Sequence, residues 1–107
     1  MSLAADQLSD PAVRAFVIAV NAGDRAAFDA ALTPSATMSE EGSDRDVRQW
    51  AEQEIFTSTG HMDVQREDDA GLSLVVDFRN DTWGAMRTAW RFDTAGGKVS
   101  RFETSQA

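Results

Sequence analysis

The chain is predicted to form an α+β domain, with helices in its first half laid over one face of an antiparallel sheet built from its second half. Two observations carry this. Apolar residues recur every three to four positions through the first helices and at every second position from His61 onward. The second half is also cut by short turn signals at Asp68-Asp69-Ala70-Gly71, Asn80-Asp81-Thr82-Trp83-Gly84 and Thr94-Ala95-Gly96-Gly97. Turns that short make consecutive strands antiparallel neighbours. One face of those strands is apolar and the other carries arginine and aspartate, so the helices must cover the apolar face.

The first helix opens at Asp10-Pro11, an N-cap followed by proline at the first helical position. Val13, Phe16, Val17 and Val20 form its apolar stripe, and Asn21-Ala22-Gly23 ends it. Asp24 caps a second, short helix with Phe28, Ala31 and Leu32 on its apolar side, and Thr33-Pro34-Ser35 breaks it. Ala36–Glu40 reads as a short edge strand, turned by Glu41-Gly42. The third helix is capped by Ser43 or Asp44. Val47, Trp50, Ala51, Glu54 and Ile55 then follow at helical spacing, with Glu54 the one polar member of the stripe. Thr57-Ser58-Thr59-Gly60 stops it.

Four strands follow. His61–Glu67 alternates around Met62 and Val64. Leu72–Arg79 places Leu72, Leu74, Val76 and Phe78 on one face. Ala85–Asp93 gathers Met86, Thr88, Trp90 and Phe92. Lys98–Thr104 is open in register: either Val99 points inward and takes Arg101 and Glu103 with it unless a bulge intervenes, or Ser100 and Phe102 point inward and that pair meets solvent.

The 107 residues fit one domain over 1–107, with 1–9 expected to be loosely ordered. A formal net charge of −8 and ten scattered basic residues oppose binding to nucleic acid or an anionic membrane. There is no cysteine, which excludes disulfides and thiolate metal sites. A single histidine, His61, gives no ligand set, so no metal and no cofactor is expected. No apolar run approaches the roughly 20 residues of a membrane span. The first ten residues lack the basic and apolar regions of a signal peptide, so the expected location is cytoplasmic.

The order of these elements resembles the NTF2-like superfamily, and within it the SnoaL-like and ketosteroid isomerase-like proteins. The resemblance spans nearly the whole chain and rests on Asn21-Ala22-Gly23-Asp24, Ala36-Thr37-Met38, and Trp90-Arg91-Phe92 leading into Gly97-Lys98-Val99. It implies a cone-shaped, cystatin-like fold: three N-terminal helices packed on a strongly curved antiparallel sheet, a pocket at the open end, and a homodimer. The superfamily hosts isomerases, dehydratases, cyclases, transport adaptors and proteins without known chemistry, so the fold does not give the function.

Carried over residue by residue, the resemblance puts the proton-shuttling carboxylate on Glu40, two residues past Met38. A partly buried carboxylate is a usable base at neutral pH; a solvated turn carboxylate before a helix is the plainer reading. The phenol that would hold an enolate oxygen is replaced by Phe16, and the protonated acid by Thr88. Each such donor is worth about 2.7–4 kcal/mol in the transition state. Losing both should cost on the order of 10⁴-fold in rate, which disfavours a steroid isomerase of that kind. Thr88 is either a ligand contact or a core threonine bonded to backbone. Trp90, Trp50 and Phe16 are either pocket walls or plain core. Trp83, beside Gly84, is either a pocket lid or partner surface, or is tucked under the sheet edge.

The function expected is binding of a small, largely apolar molecule, with isomerase- or cyclase-type acid–base chemistry on a carbonyl compound through Glu40. The alternative is a non-catalytic domain of the same fold that dimerises through its sheet or binds a protein. There Asp77, Arg79, Arg87, Arg91 and Asp93 pair around Val75 and Ala89.

Overall fold

The structure, a computed structural model, describes residues 2–107. Helices α1 (Pro11–Ala22), α2 (Arg25–Ala30) and α3 (Val47–Ala51) pack with six strands: β1 (Leu32–Glu40), β2 (Ser43–Arg45), β3 (His61–Asp68), β4 (Ser73–Asn80), β5 (Gly84–Ala95) and β6 (Lys98–Gln106). The sheet runs β2-β1-β6-β5-β4-β3. Helix α1 touches both β6 and β3, which stand three places apart in that order, so the sheet curves round it.

The caps form as their chemistry dictates. The Asp10 carboxylate accepts from the N–H groups of Ala12 and Val13, and the Asp24 carboxylate from Ala27. Gly23, at φ 64°, takes the left-handed turn that ends α1. Asn21 does more than end a helix: its side chain donates to the Met62 carbonyl at 3.0 Å and accepts from the Met62 N–H at 2.7 Å. That pair satisfies edge strand β3 at one residue, and the Leu3 N–H bonds the Val64 carbonyl at 2.7 Å on the same strand.

Several expectations are corrected. The sheet is antiparallel except for β1 and β6, which run parallel, a pairing between distant segments that local patterning does not report. Ala36–Glu40 is not the edge; the chain turns at Glu41-Gly42 and adds β2 outside it. The third helix is therefore capped by Asp46, which accepts from the Gln49 N–H at 2.9 Å, and not by Ser43 or Asp44, which lie in β2. Helix α2 ends at Ala30, before Thr33-Pro34-Ser35, and Leu32 opens β1, which runs through Pro34 with an irregular stretch between Leu32 and Thr37, where proline has no N–H to give. Within residues 2–9, Ala5–Gln7 make a tight turn and Leu8 is buried in the core. In β6, Arg101 pairs with Asp93 and Val99 with Thr94, so a bulge at Ser100 turns both Val99 and Phe102 inward and leaves Arg101 and Glu103 outside.

The core is aromatic. Phe16, fully buried, has Phe102 at 5.0 Å, Phe28 and Phe92 at 5.2 Å, and Trp90 at 6.1 Å between ring centroids. Most of these rings meet tilted or edge-on, the arrangement their quadrupoles favour. Phe16 is thus the hub that joins α1 to the centre of the sheet. Among the described residues no helix is long and apolar enough to cross a membrane. Truncating the hub, Phe16→Ala, is expected to lower stability by about 3–5 kcal/mol, read from the denaturant midpoint. A loss under about 1 kcal/mol would show that the ring is not packed as described.

Candidate functional site

Because Trp50 and Trp90 are each only 2% exposed and stand 6.0 Å apart, they fill the deep part of the cone. The free space left is a cleft of about 500 Å³ at the open end. Glu40 and Trp50 form one wall, and Phe78, Met86, Thr88 and Trp90 form the floor. The last turn of the α3 segment and the β4–β5 turn bring Glu54 and Trp83 to the rim, with Glu41 and the end of β6 closing the other side.

Glu40 ends β1 and is half-buried. Its Oε1 accepts from Arg45 at 2.7 Å, and its Oε2 accepts from the Trp50 indole N–H at 3.1 Å. Hairpin β1–β2 supplies the arginine and α3 the indole, so three elements fix one carboxylate. Among the four other expected site residues, Trp50, Thr88 and Trp90 line the cleft and Phe16 does not. Phe16 belongs to the core for a steric reason: other aromatic rings enclose it. The Thr88 hydroxyl donates to the Val76 carbonyl at 2.9 Å and accepts from the Trp90 indole N–H at 2.8 Å. Its single proton is committed to backbone, so it has none to offer a ligand oxygen.

Glu54 is the residue that sequence reasoning passed over. The signal was there, since it is the polar exception on an apolar stripe. What turns it outward is a wide turn after Ala51. Over Glu52–Phe56 the chain makes i→i+5 bonds, with Thr57 N–H to Glu52 C=O at 2.8 Å and Gly60 N–H to Ile55 C=O at 2.6 Å. Gly60 is required there, because a Cβ on it would lie 2.7 Å from the Glu54 carbonyl oxygen. Buried Asn80 pins the region: its amide donates to the Glu54 carbonyl at 3.1 Å, and its Oδ1 accepts from the N–H groups of Thr82 and Trp83. Glu54 then accepts from the Trp83 indole at 3.1 and 3.2 Å. Trp83 remains 63% exposed, a rim residue and not one tucked under the sheet.

Glu52 beside Arg25 and Asp77 beside Arg87 are held below the ordinary carboxylate range, each lowered by the hydrogen bond from its arginine. Among the described residues no three acidic or histidine side chains converge to hold a metal ion. His61 begins β3, 3.1 Å from Asp63, and does not line the cleft.

No family profile matches the chain, and no curated protein does. Solved structures do. A candidate polyketide cyclase from Sinorhizobium meliloti superposes with a TM-score of 0.76 at 14% identity, over 95% of this chain and 99% of that one. An NTF2-like protein of unknown function from Cytophaga hutchinsonii gives 0.75 at 12% identity, over 100% and 93%. A computationally designed 17-OHP binder gives 0.75 at 10% identity, over 87% and 86%. Identities this low speak for the fold alone, and on that evidence the chain has the NTF2-like, cystatin-like α+β fold.

Proposed function

We propose that the chain is a small-molecule-binding domain whose ligand, a largely apolar carbonyl compound, lies in the mouth cleft with Glu40 as the acid–base group. The observation that carries this is the placement of Glu40: a half-buried carboxylate in the wall of an aromatic cleft, oriented by Arg45 and Trp50. A proton acceptor works only when it is held within hydrogen-bond reach of the proton it takes, and two fixed donors supply that orientation. The likeness to a candidate polyketide cyclase and to a designed 17-OHP binder agrees with a cleft for a compact apolar molecule. The reaction supported is proton transfer without a strong oxyanion hole, since Phe16 is sealed in the core and the Thr88 proton is spent. That argues for an isomerase- or cyclase-type step on a substrate that carries its own activation, and against steroid isomerisation of the usual kind. The expected setting is cytoplasmic, with no cofactor.

A second reading, a homodimer through the sheet, has its own support. On the outer face Val75 stands opposite Ala89, both half-buried, flanked by the Asp77–Arg87 pair at 2.9 Å. Among the described residues Arg91 makes no ion pair, and it lies on that face ready for a partner's carboxylate. Light scattering should give twice the chain mass, reduced to the single mass by Arg91→Glu; a monomer at all concentrations would dismiss this arrangement.

The primary reading is tested by Glu40→Gln, which keeps the acceptor for Trp50 and removes the base. Turnover of a responsive carbonyl substrate should fall by roughly 10²–10⁴-fold with binding kept within a few-fold. Unchanged turnover of every compound the wild type converts would remove Glu40 from the mechanism.

A further inference from the structure

The lining of the mouth cleft includes three carboxylates, Glu40, Glu41 and Glu54, and no lysine or arginine. Only Glu40 has a cation on it, Arg45. Glu54 is bonded to the neutral Trp83 indole, and Glu41 Oε1 accepts the Gln106 backbone N–H. Among the described residues neither has an ion-pair partner. The cleft therefore carries uncompensated negative charge, in a chain whose net charge is already −8.

Acidity alone would describe a solvated rim. Two further observations make it a built feature. First, beside the polar Thr88, Thr104, Ser105 and Gln106, the lining holds four aromatic rings, Trp50, Trp83, Phe78 and Trp90, with the Met86 thioether. The face of an aromatic ring is electron-rich and attracts cations, tryptophan most strongly. Second, Glu54 is held through its backbone, whose carbonyl accepts the Asn80 amide at 3.1 Å. The i→i+5 turn displaces it from its helical place, and Asn80 and Gly60 hold that turn from two sides. An inorganic ion is the wrong occupant, because no three acidic side chains among the described residues converge on one point.

We infer that the cleft selects an organic cation: a flat apolar body that packs against Trp50 and Met86 and bears a positively charged nitrogen directed to Glu54 at the rim, beside Trp83. This rests on the mouth cleft being the ligand site and names the class of ligand. Anionic molecules of the same shape are repelled, and neutral ones lack the charge contact.

Calorimetric titration with three probes on one ring system tests this: tryptamine, neutral 3-ethylindole and anionic indole-3-propionate, each at low and high salt. Tryptamine should bind roughly tenfold tighter than 3-ethylindole, and indole-3-propionate weakest, with the spread shrinking as salt rises. Glu54→Gln should remove most of the preference for tryptamine while 3-ethylindole binds as before. Asp6→Asn, a remote change of equal charge, should leave all three affinities alone. If 3-ethylindole binds and tryptamine binds no better, or if Glu54→Gln keeps the preference, the cationic class is wrong and the cleft reading stands. If none of the three binds, the cationic class is wrong, and the cleft reading is decided separately by Glu40→Gln on carbonyl compounds.

Discussion

An indole can be buried cheaply only when its N–H finds an acceptor; this chain buries two, Trp50 and Trp90, and bonds a third, Trp83, at the exposed rim. Each has a different solution. Trp90 donates to the Thr88 hydroxyl, which passes its own proton to the Val76 carbonyl on the neighbouring strand. Trp50 donates to Glu40, and Trp83 to Glu54. Trp90, on a central strand, thus uses a neutral acceptor within the sheet, while Trp50 and the exposed Trp83 use carboxylates that reach solvent. A buried carboxylate would have been far costlier than a buried hydroxyl, so the order follows from desolvation.

The rest of the site depends on that arrangement. With Trp50 and Trp90 both inside, the cone is filled to within reach of its mouth, and the ligand space becomes a cleft and not a deep barrel. Thr88 accepts from Trp90 and gives its own proton to the Val76 carbonyl, which removes the one hydroxyl donor on the floor. Satisfying Trp50 fixes the orientation of Glu40, with Arg45 holding the other oxygen. Structural and functional demands therefore fall on the same atoms. A change at Thr88 is expected to disturb the core before it disturbs any ligand.

Local chemistry was well read from the sequence where it acts locally. Asp10, Asp24 and Gly23 punctuate helices through contacts a few residues long, and the alternation in β4 and β5 puts Leu74, Val76, Phe78, Trp90 and Phe92 inside. What escaped is nonlocal. The parallel pairing of β1 with β6 joins segments some 64 residues apart, as between Thr37 and Arg101. The bulge at Ser100 shows itself only against its partner strand, since the sequence of β6 alone allows either register. Strand β2 is three polar residues with no period of its own. At the site, Glu40 came from the resemblance, and Trp50 and Trp90 from periodicity. Phe16 was open between wall and core, because its place depends on four other rings. Glu54 was seen as an anomaly but not as a site residue, because only a widened turn held by Asn80 gives it a direction.

The three indole N–H signals in an assigned ¹H–¹⁵N spectrum test this organisation most directly. Each acceptor should control one signal: Glu40→Gln shifts that of Trp50, Glu54→Gln that of Trp83, and Thr88→Val that of Trp90, each with the other two nearly unmoved. If Glu40→Gln and Glu54→Gln leave all three signals in place, the carboxylates do not hold the mouth tryptophans, and the account of the cleft is wrong.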